Sequence, residues 1–405
     1  MSAKKQQVGL LGAIAIGLAS MLGAGVFVVF GTAYQFAGQW LFVALAIAGL
    51  VAALNSASVY QLARQVDRPG GAYSYARVYR NETLSFVAGF AFVFGKIGSI
   101  AAIALALGAY VSPENKELVA ISSIVIMVIV NSLGIQRTAT VAAVLALVTT
   151  SFLIFTSAIG IANFSNAENA QLALTVTATQ DIAMAASVLF FAFAGYARIA
   201  TLGNEVRNSK RNIPLAIVIT LAFVIALYAI LTLVLIAVLG DELVGLETPF
   251  VAFFSALALP FGPLVSVVAT VASLGSILAL LAGVSRTAAT MGEDRELPKV
   301  FEQRNRFGSP WLAEVVIAVG ASALVTIGNL AEVIGFSSFS VLVYYAIAHI
   351  SALGQPSNER VIPSFIAWFG LVLCIWLALA VPGFAAEISL VILAVALVFR
   401  RVARR

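Results

Sequence analysis

Apolar residues run along this chain in blocks of about 20, the length that crosses a bilayer as a helix, and most charges fall in the intervals between them. The blocks predict twelve spanning helices, over residues 8–31, 39–63, 84–111, 118–135, 138–162, 182–203, 214–239, 261–285, 311–329, 331–353, 362–381 and 384–400. No polar interval is long enough for a separate soluble domain. Two blocks break their own regularity. The stretch from Ile16 to Phe27 places Gly17, Ser20, Gly23, Ala24 and Gly25 where a spanning helix should be most regular. Five spans later, Phe190-Phe191-Ala192-Phe193-Ala194-Gly195-Tyr196 does the same. Glycine weakens a helix interior and leaves backbone groups free to bind something other than each other. Irregular backbone at membrane depth survives only where it is buried in protein or lines a cavity. Two such helices at corresponding positions point to a transporter's substrate site.

The spacing of the two irregular helices suggests a repeat. Spans 1–5 and 6–10 each open with one, so residues 1–163 and 164–355 are expected to form two units. Residues 356–405, with spans 11 and 12 and a basic tail, lie outside the repeat and are expected to serve packing or contacts with a second copy. Five is odd, so the second unit enters from the opposite face. The loop after span 2 is basic and the loop after span 7 is acidic, as inversion requires. Inverted repeats hold substrate at their interface near the midplane. The segment from Arg286 to Pro310, with alternating charge signs, is expected to form a short surface helix and a loop.

Composition agrees. The chain of 405 residues is 61% hydrophobic and 10% charged, with mean hydropathy +1.04, whereas soluble domains carry about 25% charged residues. An all-α integral membrane protein is expected, with the lipid bilayer as its surroundings. With the N-terminus inside, only Lys116 of the 23 lysines and arginines falls in an outer loop, and only Lys96 and Arg198 fall within spans. The outer loops carry Glu114, Glu117, Glu168, Asp181, Asp241, Glu242 and Glu247. This positive-inside pattern puts both termini in the cytoplasm, in an inner or plasma membrane. The net charge of +5 therefore reports topology, and nucleic acid is not an expected partner. Lys4 and Lys5 lead into an apolar stretch far longer than a signal peptide's core of roughly 7–15 residues. The single Cys374 excludes an intramolecular disulfide. No motif asks for a cofactor.

Three segments together resemble the amino acid–polyamine–organocation transporter superfamily over essentially the full length. Gly23-Ala24-Gly25-Val26-Phe27 is similar to that family's small-residue break in helix 1. Arg68-Pro69-Gly70-Gly71-Ala72-Tyr73-Ser74-Tyr75 is similar to its Pro-x-x-Gly-Tyr-x-Tyr turn after helix 2. Phe191 to Tyr196, with Glu205 and then Arg211-Asn212-Ile213-Pro214, is similar to its helix 6 region. The resemblance implies secondary transport of amino acids and amines on a LeuT-like fold, a 5+5 inverted repeat with helices 1 and 6 broken at mid-membrane. It also places a lysine on helix 5 of proton-coupled cationic members. This chain has Thr149 at the matching position, so a lysine-based proton step would need Lys96 in its place. Family members often carry a second acid beside Glu205 and Asn-Pro further on, where this chain has Asn204 and Asn208-Ser209.

An α-amino acid presents a carboxylate and an ammonium, and both must shed water at mid-membrane. Amides at Gly23, Ala24 and Gly25 open a half-helix whose positive end suits the carboxylate. Carbonyls released at Ser20, Met21, Phe191 and Ala192 suit the ammonium, a geometry carried over from LeuT-like transporters. Phe191, Phe193 and Tyr196 are candidate gates or pocket walls. Lys96 stands halfway along span 3 with no carboxylate at similar depth, and intramembrane ionisable residues are functional by default. It is a candidate for proton or substrate coupling, with Gly95 and Ser99 on its helix as pocket-lining candidates. The run from Gly89 to Lys96 fails as a phosphate loop because its glycine spacing is too long and Ile97 replaces the hydroxyl. Arg198 and Glu205, seven apart, are expected to form an inner-gate pair. Thr149, Thr150, Ser273 and Ser276 offer oxygens to a sodium ion, the alternative to packing roles. His349 is expected to be structural.

An ion channel should show rings of one charge or a repeated filter, and neither is present. A membrane enzyme needs a catalytic set within its spans, which one histidine does not supply. The leading expectation is an amino-acid permease, by proton-coupled symport or exchange. With Lys96 and Arg198 as fixed cations and no mid-membrane acid, neutral substrates are favoured over cationic amino acids and polyamines. A cationic amino acid or polyamine antiporter, and a membrane sensor without flux, remain the alternatives.

Overall fold

The computed structural model describes residues 8–66, 70–133, 139–164, 178–195, 199 and 206–403. Among them the chain is helical, with one isolated bridge between Val8 and Val206 and no sheet. In chain order the helices are α1 (Leu10–Met21), α2 (Val29–Ala37), α3 (Leu41–Ala63), α4 (Ala72–Tyr79), α5 (Glu82–Val111), α6 (Lys116–Ser132), α7 (Ala139–Ala162) and α8 (Thr179–Phe193). They continue as α9 (Ser209–Leu239), α10 (Pro249–Ala256), α11 (Gly262–Glu293), α12 (Trp311–Ile327), α13 (Leu330–Gly354), α14 (Ser364–Leu379) and α15 (Ala385–Ala403).

Among the described residues, seven helical stretches are long and apolar enough to cross a membrane: Val29–Ala63, Glu82–Val111, Pro113–Ser132, Ala143–Ala162, Lys210–Leu243, Gly262–Glu293 and Leu330–Gly354. Four further apolar helices are shorter, and α1 and α8 are two of them. The helices expected to be broken are therefore short ones.

The first expected span is interrupted. The last α-type bond of α1 runs from Leu22 N–H to Leu18 O at 2.8 Å. Gly23 is extended, and Ala24–Phe27 forms a single 3-10 turn before α2 begins at Val29. Gly38, at φ +52°, ends α2 with a conformation that other residues rarely adopt. Pro214 sits inside α9 and cannot donate to Lys210 O, but the Tyr60 hydroxyl donates to that carbonyl at 3.1 Å. One expectation is corrected. In the segment from Arg286 to Pro310, α11 continues unbroken to Glu293 and then turns through Arg295 at φ +58°, so the short helix before the loop is only the 3-10 turn Lys299–Glu302. Its buried residues recur at Leu281, Val284, Ser285, Ala288, Ala289 and Gly292, so the helical face carries on into the charged segment.

α5 and α13 are the most enclosed of the seven long stretches. They pack closely because their facing residues are small. Gly95 lies against Ser340 and Val341, and Gly98 against Phe336 and Ser337. Ser99 Oγ and Ser337 Oγ are 2.7 Å apart. Small faces and hydroxyl bonds are what join helices in an apolar solvent. α11 packs on α5, α8 on α2 and α3, and α9 on α1.

Charges gather at one end of the bundle. Arg77 of α4 is 3.1 Å from Asp294, whose carboxylate also accepts from the Tyr73 hydroxyl at 2.6 Å. Burial, then the bond to Asp294, push the Tyr73 phenol well above its ordinary pKa, so this donor keeps its proton. Arg400 of α15 reaches the fully buried Glu296 carboxylate at 2.6 Å. Elsewhere, Lys116 pairs with Glu247 at 2.8 Å. Near that pair Phe27, Tyr110, Phe152 and Phe250 form a buried cluster of rings.

Candidate functional site

The site is built where α1 and α8 end. Gly195 has no room for a side chain, because a Cβ there would fall on the carbonyl of Ser20. A Cβ on Gly25 would lie 3.2 Å from the Phe191 ring and 3.4 Å from Ala192 Cα. The two helices therefore meet backbone to backbone at the positions where each stops.

The polar groups freed by the breaks face this junction. Among the described residues no carbonyl accepts from the N–H groups of Gly23, Ala24 or Gly25. Ala24 N–H has only the Ser276 hydroxyl of α11, at a long 3.4 Å, and a Cβ on Gly23 would crowd the same oxygen. Ser20 turns its own hydroxyl back to Ile16 O at 2.8 Å and leaves its carbonyl against Gly195. Met21 O and Ala192 O each lie 3.3 Å from the Tyr228 hydroxyl of α9. Phe191 O accepts from Ala194 N–H at 3.3 Å, so it is already engaged.

Aromatic rings wall the junction. Phe191 is buried beside Gly25, and Phe193 meets the Tyr228 ring at 5.2 Å. Phe27 anchors the 3-10 turn, its carbonyl accepting from the Tyr110 hydroxyl at 2.8 Å.

Weakly paired backbone groups therefore stand at the ends of two touching helices, and the sequence matches the family described as amino acid permease over residues 8–400. The chain belongs to the amino acid permease family. The permease is 40% identical to an uncharacterized transporter of Mycobacterium tuberculosis, over 93% of this chain and 87% of that protein. It is 24% identical to the methylthioribose transporter of Bacillus subtilis, over 91% and 87%. It is 25% identical to the chloroplastic cationic amino acid transporter 7 of Arabidopsis thaliana, over 83% and 63%. Membership makes the permease an integral membrane transporter of a small molecule, and not an enzyme.

The remaining sequence candidates divide. Ser20, Met21, Gly23, Ala24, Gly25, Phe191, Ala192 and Phe193 come together at the junction. Gly95 and Ser99 pack against α13 instead. Lys96 is buried on α5, and among the described residues no ion pair or hydrogen bond reaches it. It lies two turns beyond Gly89 on the face that meets Met291, so α5 turns Lys96 toward α11. Of the sodium candidates, Ser276 reaches the junction, and Ser273 lies one turn away on the same helix. Thr149 and Thr150 are on α7, which packs against α1 and α11, and the buried Thr150 hydroxyl has no partner among the described residues. Tyr196, Arg198 and Glu205 lie outside the described residues.

Two buried polar groups of the permease, one beside the junction and one away from it, were not legible in the sequence. Tyr228 is one tyrosine in a long apolar helix, with no local signal. Glu314 is fully buried, and its carboxylate accepts from Asn131 Nδ2 at 2.7 Å, from Ser132 Oγ at 2.9 Å and from Ser309 Oγ. It stands in the first turn of α12, where an acid reads as an ordinary helix-start residue. His349 engages both ring nitrogens. The Asn55 oxygen can only accept, so Nε2 donates to it at 2.7 Å and Nδ1 accepts from Ser58 at 2.9 Å.

Proposed function

We propose that this permease is a secondary active transporter of amino acids, working by alternating access, with neutral substrates favoured. The observation that carries it is the close approach of the α1 and α8 ends, backbone to backbone at Ser20–Gly195 and Gly25–Ala192, with the Phe191 ring against Gly25. The N–H groups of Gly23 and Gly25, which no carbonyl accepts from among the described residues, the weakly held Ala24 N–H, and the carbonyls of Met21 and Ala192 complement the two ends of one α-amino acid. Recognition of the shared end by backbone leaves side-chain selectivity to Phe191, Phe193 and Tyr196.

In this reading the bundle is a LeuT-like 5+5 inverted repeat of twelve spans with both termini cytoplasmic, residues 1–163 and 164–355 forming the two units. Lys96 is the coupling group, supported by its burial without a carboxylate partner among the described residues. A lysine side chain can take up and release a proton, which is what a coupling group has to do. Arg198 and Glu205 form the inner gate. Sodium at Thr149, Thr150, Ser273 and Ser276 is the second coupling reading, favoured by the unpartnered Thr150 hydroxyl.

A cationic substrate is the second substrate reading, favoured by similarity to the plant proteins named cationic amino acid transporters. Counterflow in liposomes loaded with unlabelled alanine, leucine or arginine decides between them. Saturable exchange of labelled alanine or leucine supports the neutral reading, and exchange of arginine alone supports the cationic one. No exchange of any amino acid refutes transport of this class.

A further inference from the structure

Tyr228 holds a position that the proposed site needs and that packing alone does not explain. Its side chain is fully buried in α9, and its ring is pinned edge-on by Phe30 at 5.9 Å and by Phe193 at 5.2 Å. The hydroxyl is thereby held between two carbonyls from different helices, Met21 O at the end of α1 and Ala192 O near the end of α8. Both distances are 3.3 Å, longer than the usual 2.5–3.0 Å of an O–H···O bond. One proton faces two acceptors, so neither carbonyl is fully satisfied.

We infer that Tyr228 is a positioning residue for the amine end of the substrate. The inference rests on the amino-acid reading of the site. Two carbonyl dipoles pointed at one place repel each other, and a single shared proton keeps them convergent. Each carbonyl oxygen has two lone pairs and the phenol oxygen can accept as well as donate. An incoming ammonium, with its three donors, meets Met21 O, Ala192 O and the Tyr228 oxygen as a ready-made set. A carboxylic acid without the amine has nothing to give that set, and leaves it unpaired in a dehydrated place. Tyr228 thus favours substrates with a primary amine, and it ties the ends of α1 and α8 to α9.

The test is uptake into proteoliposomes by the wild type and by Tyr228→Phe, which keeps the ring and removes the hydroxyl. Labelled L-alanine and L-leucine are the substrates, and propionate and 4-methylpentanoate, their counterparts without the amine, are the competitors. The expected result is a half-saturation concentration raised about tenfold, the weight of one hydrogen bond to a charged group, with the maximal rate within about twofold. Inhibition by the two acids stays as in the wild type, so discrimination for the amine shrinks. An unchanged half-saturation, or an equal shift for amino acids and acids, overturns the inference, since a purely structural clamp acts on both alike. If the wild type takes up neither amino acid, the reading of the site fails and the role of Tyr228 with it. Should Tyr228→Phe not be recovered as folded protein, Tyr228→Met takes its place, because methionine fills irregular gaps. Ligand-induced thermal shifts in detergent then read the same discrimination without transport.

Discussion

The carbonyl of Ser20 occupies the space that a side chain at Gly195 would need. This contact brings the ends of α1 and α8 together, and the glycine is required by approach and not by any unusual backbone angle. Gly195→Ala is expected to push the helices apart at a cost of about 1–3 kcal/mol, typical of overpacking. Gly25→Leu meets the Phe191 ring and is expected to block the site in the same way. Both variants should be recovered from the membrane, with uptake reduced at least about tenfold. Wild-type uptake by either variant removes the junction from the site.

Lys96 is a buried lysine that no carboxylate reaches among the described residues. Lys96→Met preserves length and apolar bulk and removes the proton-carrying group. Wild-type uptake in proteoliposomes is expected to respond to an imposed pH gradient, and Lys96→Met is expected to lose that response. A gradient response equal to that of the wild type ends the proton-carrier reading and turns attention to sodium.

Glu314 is expected to carry stability and not transport chemistry. Its carboxylate joins α6, α12 and the turn at Ser309 through three neutral donors. Hydrogen bonds to a charged group are worth about 1.5–3 kcal/mol each, and the orphaned donors cost more. Glu314→Ala should therefore lower the thermal midpoint in detergent by several degrees, and Glu314→Gln by less, because one accepting oxygen remains. An unchanged midpoint for Glu314→Ala contradicts this.

Arg400 and Glu296 tie α15 to the turn after α11. Removing only the arginine takes the 2.6 Å partner from a buried carboxylate and leaves Arg77 4.0 Å away. Arg400→Met is expected to destabilise by about 3 kcal/mol, the low end of the range for breaking a buried pair. Adding Glu296→Gln should restore part of the loss, since the uncompensated charge is gone. Strictly additive losses in thermal denaturation would show that the two side chains do not act on each other.

Much of this protein is legible in its sequence because a bilayer allows few backbone solutions. With no water to satisfy peptide groups, apolar blocks become helices, and α5 at Glu82–Val111 lies within two residues of its expected range of 84–111. The broken first helix is legible for the same reason, since glycines at positions 23 and 25 are costly there unless the backbone has another use. The length of α11 is less legible, because charged residues from Arg286 onward mark a membrane exit but do not end a helix.

The amino-acid order alone determined that the chain is a bundle of apolar helices, that the first expected span is interrupted, and which small residues stand at that interruption. Only the tertiary structure decided that Ser20 meets Gly195, that Ser276 approaches Ala24 N–H, and that Tyr228 lies between Met21 and Ala192. It also decided that Gly95 and Ser99 pack on α13, away from that junction. Helix formation is local, since each peptide bonds within its own segment and leaves a pattern readable along the chain. The site joins groups as far apart as residues 24 and 276, and a lone tyrosine in an apolar helix gives no local sign of the carbonyls it will face.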